Sequence, residues 1–280
     1  MENDMPGKLY IVGTPIGNLE DITLRALRIL EEVDMIAAED TRHTVKLLNH
    51  FEIKKHLLAY HQHNEQSGSE KLLEFLTEGK NIALVSDAGM PIISDPGSVI
   101  VSRCNEAGIP VEVVPGPNAG LCALVLSGID ARAFTFMGFL GKQNKEIREG
   151  LEKIAVSEIT VILYETPHRL VKTLEAMVQV IPDRKMSISR EITKKYEETR
   201  MGTVQEHLDW YSENPPKGEF VLVIEGGDGL PAGCQDLAAL SLEDHVAHYK
   251  DQGMGEKEAM KQVARDRGVS KRDIYNLIKR

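Results

Sequence analysis

Five short apolar runs, each ended by turn-forming residues and followed by a stretch with helical spacing, constrain this chain more than anything else in it. The runs are 8–12, 35–38, 57–60, 82–85 and 111–114. The helices expected to follow them are 23–33, with Leu24, Leu27 and Leu30 on one face, then 41–51, 65–78, 98–107 and 118–126. A strand that is apolar throughout must be covered on both faces, and strands alternating with helices predict a parallel sheet with helices on either side. In such a sheet the loops at the carboxyl ends of the strands share one edge, where ligands bind.

Three of these strand ends carry glycine- and proline-rich loops. Gly13-Thr14-Pro15-Ile16-Gly17-Asn18 follows the first run and Pro115-Gly116-Pro117-Asn118-Ala119-Gly120 follows the last. Between them, NIALVSDAGMPIISDPG at 81–97 ends in a loop, 87–97, with two glycines, two prolines and two aspartates. That loop reads as a rigid turn with exposed backbone donors and two carboxylates, or more simply as a tight turn capped by aspartates. With the strands parallel, all three loops line one cleft.

A break at Ser127-Gly128-Ile129-Asp130 ends the regular rhythm. Beyond it, apolar runs at 134–139, 159–164, 185–189 and 220–224 mix with helices expected at 145–155, 170–180 and 204–211, which predicts a mixed sheet with antiparallel pairs. A Gly/Pro-rich linker at 226–231 leads to a helical tail whose last part, turning at Gly268 and capped by Ser270, looks like a helix-turn-helix. The organisation expected is an α/β domain at 1–128, a second α/β domain at 129–228 and a tail at 235–280.

At 280 residues, 42% of them hydrophobic, the chain can bury a core in each of two domains. The opening MENDMPGK has neither a basic nor an apolar region, and no run approaches the length of a membrane span, so a cytoplasmic protein is expected. Cys104, Cys122 and Cys234 are widely spaced and indicate neither a disulfide framework nor a zinc knuckle. The net charge of −10 argues against indiscriminate nucleic-acid binding, but the charge is uneven. Residues 184–200 hold six basic and three acidic side chains, and 256–280 hold eight and four, whereas 201–255 hold two and ten. Each basic segment suits RNA or a solvated helix face.

Familiar nucleotide and hydrolase signatures are missing: there is no GxxxxGK[ST], no GxGxxG opening the first helix, no HExxH and no GxSxG. His61 and His63, beside Glu65, offer two metal ligands without an identifiable third, and no metal is expected. What the chain has instead is LYIVGTPIGNLEDITLRAL, AAEDTR, YHQHNE, VSDAGMPIISDPG, VPGPNA, YETPHR, SREITKKYEE and GEFVLVIEG, in this order over residues 9–226. These stretches resemble the tetrapyrrole methylase superfamily, and most closely its branch that modifies small-subunit (16S) ribosomal RNA. Where the tetrapyrrole branch usually carries Gly-Asp-Pro, this chain has Gly89-Met90-Pro91 flanked by Asp87 and Asp95, a departure that weakens a porphyrin or corrin substrate.

The resemblance implies the two-domain α/β fold of that superfamily, with S-adenosylmethionine held between the domains. It also implies methyl transfer to the ribose 2′-hydroxyl of a cytidine in the decoding region of 16S rRNA, within the small ribosomal subunit, by a homodimer with no membrane association. A ribose hydroxyl is a poor nucleophile at neutral pH, so a base, or a cation that lowers its pKa, must stand in the cleft. Two strand ends supply candidates: Glu165, His168 and Arg169, and then Arg190, Glu191, Lys194 and Lys195. Lys194 or Glu191 is expected to handle the hydroxyl, with Glu165 a further catalytic candidate. Arg169, Arg190 and Lys195, and Lys271 and Arg272 in the tail, are expected on RNA. The spacings Glu165 to Arg169 and Glu191 to Lys195 also suit plain i,i+4 ion pairs. For the cofactor, the strand-end position and the resemblance favour Pro15, Asp87, Ala88, Gly89, Ile92 and Asn118, with Met137 and Gly138 closing the pocket from the second domain.

Overall fold

The computed structural model describes residues 5–229, 241–251, 254–267, 269–270 and 274–275. In chain order the first sheet and its helices are β1 (Leu9–Val12), α1 (Leu24–Glu32), β2 (Met35–Ala38), α2 (Thr41–His50), β3 (His56–Ala59), α3 (Glu65–Thr77), β4 (Ile82–Val85), α4 (Ser98–Glu106) and β5 (Val111–Val114). The strands pair in the order β3-β2-β4-β1-β5, all parallel. Both faces are covered, as the apolar strands require. Leu9, Ile11, Ile82 and Leu84 pack with Leu72, Leu76, Ile100 and Cys104 of α3 and α4, while Val12, Ala83 and Val85 pack with Ala26, Ile29, Leu30 and Leu48 of α1 and α2. Alternate residues of one strand thus feed two different cores.

The chain continues as α5 (Ala119–Ser127), β6 (Phe134–Phe139), α6 (Asn144–Ala155), β7 (Thr160–Glu165), α7 (Pro167–Val178), β8 (Lys185–Arg190), β9 (Glu198–Thr203), α8 (Val204–Glu213) and β10 (Phe220–Ile224). This second sheet runs β6-β7-β10-β8-β9, with β6 and β7 parallel and the other pairs antiparallel. Helices α6, α7 and α8 cover one face. The other face receives Ala123 and Leu124 of α5, together with Ile16 and Ile192 from two loops. Helix α5, grouped by sequence with the first sheet, therefore spends its buried side on the second, and residues 1–229 form one compact unit.

Two elements differ from the sequence expectation. Strand β9 was not anticipated, because Glu-Thr-Arg-Met-Gly-Thr is polar and glycine-containing; it holds as an edge strand paired only with β8. Helix α7 begins at Pro167, ahead of residue 170, since proline suits the first helical position.

Residues 230–280 form a second unit. Within it α9 (Leu242–Asp251) and α10 (Glu256–Asp266) pack through Val246, Tyr249, Ala259, Met260 and Val263, with Ile274. His245 is fully buried here; burial holds its imidazole below the usual range, Asp266 lies 3.2 Å from its Nε2, and Arg267 Nε donates to its Nδ1 at 3.1 Å. Gly268, Lys271 and Arg272, named above for the turn and for RNA, lie outside the described residues. Among the described residues no helix is long and apolar enough to cross a membrane.

Candidate active site

The three loops at the carboxyl ends of β1, β4 and β5 are in direct contact. Gly13 N–H donates to Val114 O at 3.0 Å, and Thr14 exchanges two backbone hydrogen bonds with Gly89, at 2.9 and 3.0 Å. A Cβ on Gly13 would stand 2.7 Å from the Gly116 Cα, so only glycine lets these backbones pass this closely. The central loop has Ile92 at φ 77° and Ser94 at φ 68°, a left-handed conformation that side chains adopt only under strain, of about 1–3 kcal/mol each. Gly97 N–H donates to Glu65 Oε1 at 2.8 Å and helps hold that loop.

From the second sheet comes the loop after β8. It too is strained, with Glu191 at φ 51° and Thr193 at φ 66°. It lies across the first loop: a Cβ on Gly17 would meet Lys194 Cγ at 2.5 Å. Lys194 Nζ is held 3.0 Å from Glu191 Oε1 and 2.8 Å from Glu219 Oε2. Burial opposes the charge on Lys194, but the two carboxylates outweigh it and raise its pKa above the ordinary lysine value. Glu191 also accepts the Glu219 N–H at 3.0 Å; burial acts against its charge, and these partners outweigh it to hold the carboxyl below its usual range. The cleft between these loops has a volume of about 450 Å³ and is lined by Pro15, His43, Asp87, Ala88, Lys194 and Glu219 among others.

Asp87, on the lining of the cleft, belongs to a cluster of carboxylates. Asp87 Oδ1 accepts the Asp40 N–H at 3.0 Å, tying the end of β4 to the start of α2. Glu39 is raised by burial and by the charge of Asp87. Asp95 is pushed up to about 7 by burial, then by Glu39 and Asp87, with the Ser86 hydroxyl opposing. Asp40 does not share this strain, because Arg42 folds back on it at 2.6 Å and holds it well below the usual carboxylate range. His61 Nδ1 is buried near Glu39 without a hydrogen-bond partner. Crowded, half-desolvated carboxylates of this kind suit a cationic ligand, which would relieve their repulsion. A sulfonium-bearing amino acid with ribose hydroxyls fits this donor set.

The sequence-selected residues divide into two groups. The cleft brings together Pro15, Asp87, Ala88 and Lys194, with Glu191 holding the lysine. Gly89 forms the bridge to Thr14, and Ile92 is one of the strained positions. Asn118 caps α5, its Oδ1 accepting the Leu121 N–H at 3.0 Å. Met137 is the extra residue at a register shift in β6, and Gly138, at φ 63°, sits where a Cβ would touch Ser94 Oγ at 2.9 Å. Glu165 is buried and occupied: it accepts from Thr173 Oγ1 at 2.7 Å and Thr166 N–H at 2.8 Å, and lies 3.5 Å from Arg169. Arg169 in turn donates to the carbonyls of Leu140 and Gly141. The Glu165–Arg169 spacing is therefore the ion pair that the i,i+4 reading allowed, whereas Glu191 pairs with Lys194. Arg190 lies 3.4 Å from Glu198, and Lys195 Nζ is 5.4 Å from the Tyr196 ring. Sequence reasoning passed over His43 and Glu219; Glu219 directly precedes β10 in the stretch GEFVLVIEG, and that position was the available signal. Among the described residues no group of three His, Cys, Asp or Glu side chains is arranged to hold a metal ion.

The raised Asp95 has a measurable consequence. Its folded pKa lies above the unfolded value, so the folded state binds the extra proton and stability falls as pH rises from about 4 to about 7, then levels off. A cation bound beside it lowers that pKa and expels the proton; Glu39 adds to the effect in the same direction. Cofactor affinity should rise with pH up to neutrality, by as much as about tenfold per unit. Calorimetry in buffers of different ionisation enthalpy should detect proton release near pH 7 that Asp95→Asn diminishes. Equal heats in all buffers would exclude this coupling.

Residues 8–208 match the family model for Tetrapyrrole (Corrin/Porphyrin) Methylases. The chain is 50% identical to a protein of Halalkalibacterium halodurans named ribosomal RNA small subunit methyltransferase I, over 99% of this chain and 96% of that one. It is 48% identical to a Bacillus subtilis protein of the same name, over 98% and 94%. Among solved structures it is similar in fold to a uroporphyrin-III C-methyltransferase of Thermus thermophilus complexed with S-adenosylhomocysteine. That match has a TM-score of 0.54 at 18% identity, covering 80% of this chain and 98% of the other.

Proposed function

Because the chain belongs to the tetrapyrrole (corrin/porphyrin) methylase family and, within it, to the small-subunit ribosomal RNA methyltransferases I, we propose that it methylates a cytidine ribose in the decoding region of 16S rRNA, at the 2′-hydroxyl. The donor is S-adenosylmethionine, which when bound supplies an electrophilic methyl group. The observation that carries this reading is Lys194, a cation fixed by two carboxylates in the same cleft as the loop of Asp87 and Ala88. The carboxylate cluster around Asp87 would favour the cofactor's positive charge, and the strained loops at Ile92, Ser94, Glu191 and Thr193 would hold the residues that position it.

Lys194 cannot accept a proton at neutral pH, since its neighbours keep it charged. Its role is to stabilise negative charge developing on the ribose oxygen, and Glu219 and His43, on the same walls, are available to take the proton away. The sheets of 1–128 and 129–228 act as the two walls. The protein works in the cytoplasm on the small subunit as a homodimer. That assembly would cover the apolar outer face of α5, where Leu121, Val125 and Leu126 are 49%, 80% and 45% exposed.

The test is transfer of labelled methyl groups to small ribosomal subunits from cells lacking the protein, followed by nucleoside analysis. Label should appear as 2′-O-methylcytidine. If the protein binds S-adenosylmethionine but leaves the rRNA unlabelled while a control methylase labels it, the ribosomal reading fails.

A further inference from the structure

The β8–β9 hairpin carries features that the cleft does not use. Just past Lys194, Tyr196 is 65% exposed, with Lys195 Nζ 5.4 Å from its ring centroid. Farther along, the Arg200 guanidinium stacks 3.7 Å above the ring of Trp210, which α8 presents at 39% exposure. In the hairpin register Arg190 faces Glu198 and Ile188 faces Arg200, so the two arginines project as diagonal neighbours from the face that packs on α8, where Ile188 is buried with Val204 and Tyr211. The Nε atoms of both Arg190 and Arg200 are buried without a hydrogen-bond partner. A buried guanidinium N–H left unpaired is costly, and it becomes satisfied when an anion reaches it. The carboxylate at hand, Glu198, approaches Arg190 only to 3.4 Å, as a partly exposed rim pair that a phosphate can displace.

We propose that the exposed rim of this hairpin, from Tyr196 to Trp210, is the path of single-stranded RNA leaving the cleft, with a base adjacent to the target stacked on Tyr196 and a phosphate taken by Arg190 and Arg200 against Trp210. This rests on the reading of the substrate as RNA and adds where the flanking strand lies. Aromatic rings alternating with basic side chains are what sequence-tolerant single-strand binding requires, since every base has a stacking face and every nucleotide a phosphate. Tyr196 is the fourth residue before Arg200, within about 13 Å along an extended chain, so the two can serve neighbouring nucleotides.

The chain has a single tryptophan, so Trp210 fluorescence reports on this surface directly. The probe is a mixed-sequence single-stranded RNA of about a dozen nucleotides. It should quench Trp210, and Tyr196→Ala should weaken binding about five- to hundredfold while Tyr196→Phe restores it. Arg200→Gln should reduce the slope of log K against log salt by about 0.7. On small subunits both Tyr196→Ala and Arg200→Gln should raise KM and leave kcat and cofactor affinity as in the wild type. Unchanged RNA binding in both variants, with no quench in the wild type, would show that these contacts are internal packing and overturn the proposal. The two readings fail separately. Wild-type methylation with binding indifferent to both variants removes the hairpin path alone, whereas quenching sensitive to Tyr196 without any rRNA methylation removes the ribosomal substrate and leaves the path.

Discussion

Asp87→Asn should weaken S-adenosylmethionine binding by about 10- to 100-fold while leaving the melting temperature of the free protein unchanged. The substitution is nearly isosteric, and its side-chain carbonyl can still accept the Asp40 N–H that joins β4 to α2. What it removes is the negative charge that the acidic cluster presents on the lining of the cleft. A hydrogen bond to a charged group contributes about 1.5–3 kcal/mol, which sets the scale of the loss. The free protein has little to lose, because Asp87 raises the pKa of both Glu39 and Asp95 and its charge works against theirs. Equilibrium dialysis beside thermal melts separates the two effects. An Asn variant that binds the cofactor as tightly as the wild type would remove Asp87 from the site.

Lys194→Gln should lower kcat by about 10²- to 10³-fold, the usual cost of losing one donor aimed at a developing oxyanion. Cofactor affinity should hold, since the lysine is paired with Glu191 and Glu219 and not with the carboxylates around Asp87. The pH profile is a second check. The raised pKa of Lys194 means that its ion pairs stabilise the fold fully at neutral pH and are lost only above the ordinary lysine range. An ionisation in kcat between pH 6 and 9 must therefore belong to another group, and deleting the lysine should lower the profile without abolishing that ionisation. Steady-state kinetics on small subunits, with binding measured in parallel, decide the matter. A kcat within threefold of wild type would reduce Lys194 to a tie between Glu191 and Glu219.

The strands of the first sheet were legible because their signal is local. Ile82–Val85 and Met35–Ala38 are buried at every position, and a run of four apolar residues closed by turn formers says as much without any partner in view. The glycine loops were legible for the same reason, since Gly13 and Gly116 mark places where a backbone must come close to something. Glu198–Thr203 was not legible. A polar edge strand has no pattern of its own and exists because β8 offers it a ladder of hydrogen bonds. The surroundings of Glu165 were not legible either, because a carboxylate after a strand looks alike whether it faces a cleft or, as here, Thr173.

The order of strands and helices in the first sheet, its parallel pairing and the three loops gathered on its edge were thus determined by the sequence itself, through hydrophobic period and turn chemistry that act over a few residues. Tertiary structure alone decided that Lys194 is shared between Glu191 and a Glu219 lying 25 residues away. It alone decided that Asp87 reaches back 47 residues to Asp40, and that Asp95 is left to titrate near neutrality. Charge, burial and pKa depend on which groups meet across the fold, and that meeting is set by packing at long range.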